Sequence, residues 1–85
     1  MKFNYNKLKG KIIEHFGSFS AFAEETNISR TTLSKKLNNK SEFSQQEISL
    51  MASKLSISDK DIQKYFFIKE VKNGTLFTSK EMEKN

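Results

Sequence analysis

Apolar residues recur three and four positions apart along the first two thirds of the chain, which is the spacing of one face of a helix. The first such stretch covers residues 5–16 and repeats Leu8, Ile12 and Phe16 on one side. Gly17 follows at once, and a glycine at this point suits the left-handed conformation that ends many helices. The pattern therefore predicts a first helix over residues 5–16.

Three later stretches begin with one repeated signal: an apolar residue, then a serine, then a second apolar residue four positions after the serine. The three sets are Ile28, Ser29 and Leu33; Phe43, Ser44 and Ile48; and Ile57, Ser58 and Ile62. Serine is a favoured N-cap, and the two flanking apolar residues form a hydrophobic staple. Glu47 and Asp61 lie three residues after their serines and complete two capping boxes. These signals predict the beginnings of the third, fourth and fifth helices.

A second helix is predicted between the first and the third, with Ser18 as its N-cap. Its inner face would consist of Phe19, Phe22, Ala23 and Thr26. Asn27 follows this helix and is one of the few non-glycine residues that tolerate a positive φ. Because the third helix starts at Ser29, only a sharp turn remains between the two helices. That is the spacing of a helix-turn-helix.

Together these elements predict an all-α fold, a compact bundle of five short helices in which helices 2 and 3 form the helix-turn-helix. Residues 1–66 are assigned to this DNA-binding domain. Asn73 and Gly74 lie between apolar residues and favour a short C-terminal β-hairpin. Residues 67–78 are assigned to this hairpin or to a dimerisation segment, and residues 79–85 to a flexible tail.

The distribution of charge indicates a class of partner. Net charge is +5, and residues 1–43 carry eight basic and four acidic side chains, whereas residues 44–85 carry seven and six. Between Ser29 and Ser41 there are four basic side chains and no acidic one. A basic stretch of this kind favours a polyanionic partner such as nucleic acid.

The composition also argues against several functions. The chain has no cysteine, which excludes disulfides and thiolate metal sites, and its single histidine, His15, has no partners for a metal site or a catalytic triad. No carboxylate pair or glycine-rich phosphate loop stands out, so we expect neither an enzyme nor a cofactor. No apolar run approaches the roughly 20 residues of a membrane span, and the N-terminus lacks a secretory signal. We therefore expect a cytoplasmic protein without a membrane partner.

The third helix carries residue types that read base edges in the DNA major groove. Arg30 can bind guanine through two hydrogen bonds, and the hydroxyl and methyl groups of Thr31 and Thr32 suit thymine. Leu33 and Leu37 would face inward and anchor the helix. The predicted base contacts are Arg30, Thr31, Thr32, Ser34 and Lys35.

Phosphate contacts are predicted on both sides of the third helix. The N-terminus of the second helix offers free backbone N–H groups to a phosphate at Ser18, Phe19 and Ser20. On the other side, the strand would be held by Lys36, Asn38, Asn39 and Lys40. Such contacts set position and salt dependence but carry little sequence information.

Residues 18–41 resemble the helix-turn-helix of the lambda repressor/Cro-like (XRE-type) family. Ala23 lies at that motif's small-residue position, Asn27 at its turn glycine and Leu33 at the inward position of its recognition helix. The ending LNNK is similar to the Leu-Asn-Gly-Lys that often follows such helices, and the order of five helices over about residues 5–66 is similar too. Three departures are Asn27, where the motif usually has glycine, Phe19, where the family usually has glutamine, and Thr26, where it usually has an apolar residue.

The resemblance implies a homodimer that binds double-stranded operator DNA in the lysis–lysogeny switch of a phage of a low-GC bacterium. An alternative is a phage antirepressor that keeps this fold but binds a partner repressor protein. Its interface would then include the apolar residues Phe66, Phe67, Leu76 and Phe77, which otherwise belong to the core or to a homodimer contact. A third interpretation is that residues 29–40 form only a solvated basic helix.

Overall fold

The computed structural model describes residues 2–70. Within them, five α-helices pack into one bundle, so the predicted all-α fold of five short helices is confirmed. The helices are α1 (Asn6–Phe16), α2 (Phe19–Thr26), α3 (Arg30–Leu37), α4 (Gln45–Lys54) and α5 (Ile62–Phe66). A single 3₁₀ turn at Asp59–Asp61 leads into α5. Residues 71–78 of the predicted hairpin or dimerisation segment, and the predicted tail, lie outside the described residues.

Most helix ends follow the local sequence signals. Gly17 adopts a φ of 83° after α1, and its N–H donates to the carbonyl of Ile13 at 2.9 Å. At the start of α4, the Ser44 hydroxyl accepts from the N–H of Glu47 at 3.0 Å, and the Glu47 carboxylate accepts from the N–H of Ser44 at 2.8 Å. The capping box predicted there is confirmed, and it satisfies two backbone donors that the helix itself leaves without partners.

The capping box predicted at Ser58 is wrong. The Ser58 hydroxyl donates to the Asp61 carboxylate at 3.2 Å, and its side chain caps no backbone N–H. A hydroxyl engaged with a side chain at this point leaves the backbone free to close a tighter turn. The chain therefore makes one 3₁₀ turn first, and α5 is only five residues long.

The core lies where the inner faces of the helices meet. Its buried apolar residues are Tyr5, Leu8, Ile12, Phe22, Ala23, Leu33, Leu37, Met51, Ala52, Leu55, Ile57 and Phe66. Phe43 packs against residues near both ends of the described chain, because its ring contacts Tyr5 and Phe66 edge to face at centroid distances of 5.4 and 5.7 Å. Edge-to-face contacts of this kind add to the stabilisation from buried area.

The two ends of the described chain meet beside the C-terminus of α3. Residues 2–4 run antiparallel to residues 68–70. The N–H of Asn4 donates to the carbonyl of Ile68 at 2.6 Å, and the N–H of Glu70 donates to the carbonyl of Lys2 at 2.9 Å. The N–H and C=O of Phe3 instead bond the side-chain amide of Asn39, at 2.8 and 2.9 Å. This amide therefore holds the paired ends against the segment that follows α3.

Candidate functional site

The α2–α3 unit is held together by local hydrogen bonds at each joint. The Ser18 hydroxyl caps α2 by accepting from the N–H of Ala21 at 3.0 Å, and the Ser29 hydroxyl caps α3 by accepting from the N–H of Thr32 at 3.0 Å. Thr26 is buried, and its hydroxyl donates to the carbonyl of Phe22 at 2.9 Å. The threonine thus fits an apolar position without an unsatisfied polar group.

The turn between α2 and α3 takes the predicted conformation. Asn27 has a φ of 59° and lies in the left-handed region, as its side chain type allows. The N–H of Ile28 donates back to the carbonyl of Ala23 at 3.0 Å, which closes the turn. The relative position of α2 and α3 is therefore fixed by the backbone as well as by the buried faces.

The outward face of α3 forms one polar surface that carries positive charge, here called the α3 face. It encloses a concavity of about 360 Å³. The lining residues are Arg30, Thr31, Ser34, Lys35, Asn38 and Lys40. None of these six side chains is acidic, whereas Leu33 and Leu37 point inward and are buried. The structure thus brings together four of the five predicted base contacts and two of the predicted phosphate contacts.

Three other predicted contact residues are engaged within the protein. Thr32 accepts a hydrogen bond from the Ser29 hydroxyl at 2.8 Å as part of the α3 cap. Lys36 forms an ion pair with Glu47, and only 14% of its side chain is exposed. Asn39 bonds the backbone of Phe3. In each case the polar group that would contact DNA already has a partner within the protein.

The start of α2 supplies the remaining predicted phosphate contacts. Ser18 and Ser20 are exposed, and Phe19 is half-buried against the core. The Phe19 ring also lies under the Arg30 side chain, with the guanidinium carbon Cζ 5.4 Å from the ring centroid. The sequence does not reveal this contact, because the two residues are on different helices.

Two ion pairs fasten α4 across the α2–α3 unit. Glu47 pairs with Lys36 of α3, and Lys54 pairs with Glu25 of α2 at 3.0 Å. Burial raises the pKa of Glu47, but hydrogen bonds from Lys36 and Ser44 and the charge of Lys36 outweigh it. The pKa of Glu47 therefore lies below its ordinary value. The carboxylate stays charged and keeps both partners.

A second concavity lies between α4 and the segment from Ile57 to Phe67, here called the α4–α5 groove. Its volume is about 460 Å³. Its apolar lining comes from Ile48, Ala52, Ile57, Ile62 and Phe67, and its polar lining from Gln45, Ser49, Ser53 and Asp59. Phe67 is 45% exposed and Ile68 is 46% exposed. The groove thus offers an apolar surface that differs in kind from the α3 face.

The apolar residues assigned to the alternative interface fall into different places. Phe66 is 1% exposed and belongs to the core, whereas Phe67 lines the α4–α5 groove. Leu76 and Phe77 lie outside the described residues. Of the four, only Phe67 offers exposed apolar area in the part of the chain that the structure describes.

Neither a metal site nor a membrane span is found in the described part of the chain. Across residues 2–70, no three side chains of His, Asp or Glu converge where they could hold a metal ion. None of the helices in that range is long and apolar enough to cross a bilayer.

Comparison with known proteins assigns the chain to a family. A profile described as "Protein of unknown function (DUF739)" matches residues 1–69. The chain belongs to the DUF739 family. No curated protein sequence matches it.

Among solved structures, this DUF739 protein is similar to the modulator of repression (MOR) of the temperate bacteriophage TP901-1 from Lactococcus lactis, known from a solution structure. The two are 39% identical in sequence and superpose with a TM-score of 0.70. The match covers 79% of this chain and 90% of the modulator.

Proposed function

We propose that this DUF739 protein is a phage regulator that modulates repression by binding a partner repressor protein. The observation that carries the proposal is the 39% identity to a phage modulator of repression over 90% of that protein's length. The name of that relative describes an action on repression, which agrees better with a protein that acts on a repressor than with a second operator-binding repressor.

The α4–α5 groove supports the proposal by offering a surface that suits a protein partner. Its lining combines apolar side chains, the partly exposed ring of Phe67 and several polar side chains, and apolar and aromatic groups accompanied by polar ones are the composition of an interface that anchors binding. Among residues 2–70, Asp59 is the only charged side chain that lines the groove, so a partner with apolar side chains beside a basic one would complement it.

Titration calorimetry with the repressor encoded beside this gene tests the proposal. We expect a complex with the wild-type chain. Arginine at the exposed groove position Ser53 should weaken it at least about tenfold, because a bulky charge would be placed in an apolar contact. Gln46→Arg adds the same side chain to the same helix outside the groove and should leave binding unchanged.

The outcomes separate the function from the surface. No heat and no co-elution with the wild-type chain would reject repressor binding as the function. If the wild-type chain forms the complex and Ser53→Arg binds equally well, repressor binding stands as the function but the groove is excluded as its interface.

A second candidate function is direct binding of operator DNA, with α3 as the recognition helix of a helix-turn-helix of the lambda repressor/Cro-like type. The α3 face supports it, because its six residues supply hydrogen-bond donors and positive charge and no carboxylate. In this interpretation a homodimer would bind half-sites about one helical turn apart. The test is a gel shift on the intergenic DNA beside its own gene, in which no retarded band rejects this candidate.

A further inference from the structure

Phe19 and Arg30 occupy equivalent places on two helices that are fixed to each other. Each is the first residue of its helix and follows a capping serine, Ser18 or Ser29. The hydrogen bond from Ile28 to Ala23 closes the turn between the helices at 3.0 Å. The backbone therefore fixes the starts of the two helices relative to each other.

The guanidinium of Arg30 lies 5.4 Å from the centroid of the Phe19 ring, measured from Cζ. This is within the roughly 6 Å over which a cation is attracted to the face of an aromatic ring. Each guanidinium N–H group that does not point at the ring stays available as a donor to a further partner. Within residues 2–70, Arg30 forms no ion pair with a carboxylate.

Arg30 is the residue that two concavities share. One is the concavity of the α3 face, and the other, of about 530 Å³, lies between α2 and the start of α3. An exposed arginine ordinarily samples many rotamers, and ordering it is a cost of binding. A ring of a neighbouring helix at this junction lowers that cost before any ligand arrives.

We infer that Phe19 is a positioning residue for Arg30, and that the stacked pair forms a site for the two adjacent acceptors on the edge of a guanine base. The inference rests on the second proposed function, DNA binding by the α3 face. The guanidinium fork matches the O6 and N7 acceptors of guanine, and the neighbouring Thr31, Ser34 and Lys35 add donors. Phe19 thereby acts through its ring and not only through its backbone N–H.

A double-mutant cycle on the intergenic DNA beside the gene tests this inference. Phe19→Leu keeps an apolar side chain but loses the ring, and should weaken DNA binding about 3- to 5-fold. Phe19→Tyr should bind as the wild type does. In an Arg30→Ala background, Phe19→Leu should have no further effect beyond about 1.5-fold, because the residue acts through Arg30.

Phe16→Leu is the matched control for lost packing. Phe16 is also half-buried; it ends α1 three residues before Phe19, and its ring contacts the ring of Phe22 at a centroid distance of 5.0 Å, whereas the ring beside Arg30 is that of Phe19. Loss of the Phe16 ring should lower the melting temperature without changing DNA affinity. In the wild type, the Arg30 side-chain protons should show an upfield ring-current shift by NMR that Phe19→Leu abolishes.

Three results would overturn the positioning role: unchanged affinity in Phe19→Leu, a full effect of Phe19→Leu in the Arg30→Ala background, or an equal loss of affinity in Phe16→Leu. A wild-type chain that binds no DNA rejects the DNA function itself, and with it guanine as the ligand of this site. An absent ring-current shift would then reject the stacking as well.

Discussion

Glu47 shows how one side chain serves two elements. Its carboxylate accepts from the N–H of Ser44 at the start of α4 and pairs with Lys36 of α3. Burial alone would raise its pKa, but these partners lower the pKa below its ordinary value. Lys36, a predicted phosphate contact, is thereby tied to the protein's own structure.

The lowered pKa of Glu47 predicts a pH-dependent contribution to stability. Because the folded-state pKa is depressed, the contribution is present above the unfolded-state pKa of about 4.3 and is lost as pH falls through the folded-state pKa. Glu47→Gln keeps an acceptor for Ser44 but removes the charge. We expect it to lower the free energy of unfolding by about 1 kcal/mol at neutral pH and by much less in acid.

Urea unfolding of the wild type and of Glu47→Gln across this pH range measures the difference. Glu14→Gln is the matched control, because Glu14 is exposed and forms no ion pair with the other described residues. If Glu47→Gln lowers the free energy of unfolding by the same amount at all pH values, the charge of Glu47 does not contribute as the ion pair predicts.

Asn39 is a second residue with an unexpected role. It has a φ of 63°, and its amide bonds both backbone groups of Phe3. Asn39→Ala should lower the free energy of unfolding by about 2 kcal/mol, because two hydrogen bonds are lost. In addition, alanine adopts the left-handed conformation less readily than asparagine does. Asn39→Gly restores the backbone freedom and should cost less. Thermal unfolding measures the stability of both variants, and Asn38→Ala, at an exposed position, is the control. If Asn39→Ala is as stable as Asn38→Ala, Asn39 does not have this role.

At the scale of elements, the sequence predicts what neighbouring residues determine. Gly17, Asn27 and the Ser44 capping box depend on contacts within a few residues, and the structure agrees with each prediction. The Ser58 box fails because two side chains bond each other instead of the backbone. The pairs Lys36–Glu47, Asn39–Phe3 and Arg30–Phe19 join separate elements, so no local pattern reveals them.

If the α3 face binds DNA, we expect substitutions on it to have two different kinds of effect. Arg30→Ala and Lys35→Ala should abolish preference for the operator sequence while the fold survives, because they remove base contacts worth about 1–3 kcal/mol each. Lys40→Ala should instead weaken binding on every sequence and reduce the salt slope by about one. Fluorescence anisotropy on operator and scrambled DNA at several salt concentrations measures both effects. If Arg30→Ala and Lys35→Ala prefer the operator over scrambled DNA as strongly as the wild type does, these residues do not read bases in the groove.

At the scale of the whole molecule, the bundle presents two surfaces of opposite character that share no residue. The α3 face is polar and carries positive charge, and the α4–α5 groove is mainly apolar and has Asp59 on its lining. A repressor exposes a basic surface to DNA, which the α3 face would repel and the groove would not. The two proposed functions therefore place their partners on different surfaces. DNA would bind the α3 face, within residues 30–40, and the repressor would bind the α4–α5 groove, within residues 45–67.

The most direct measurement adds this protein to a complex of the neighbouring repressor with its labelled operator and follows the DNA by gel shift. The account predicts that the wild-type chain and Gln46→Arg change the repressor's occupancy of the operator, that Ser53→Arg does so at least about tenfold less well, and that Arg30→Ala acts like the wild type. An occupancy that no concentration of the wild-type chain alters, together with no complex between the two proteins, would contradict it.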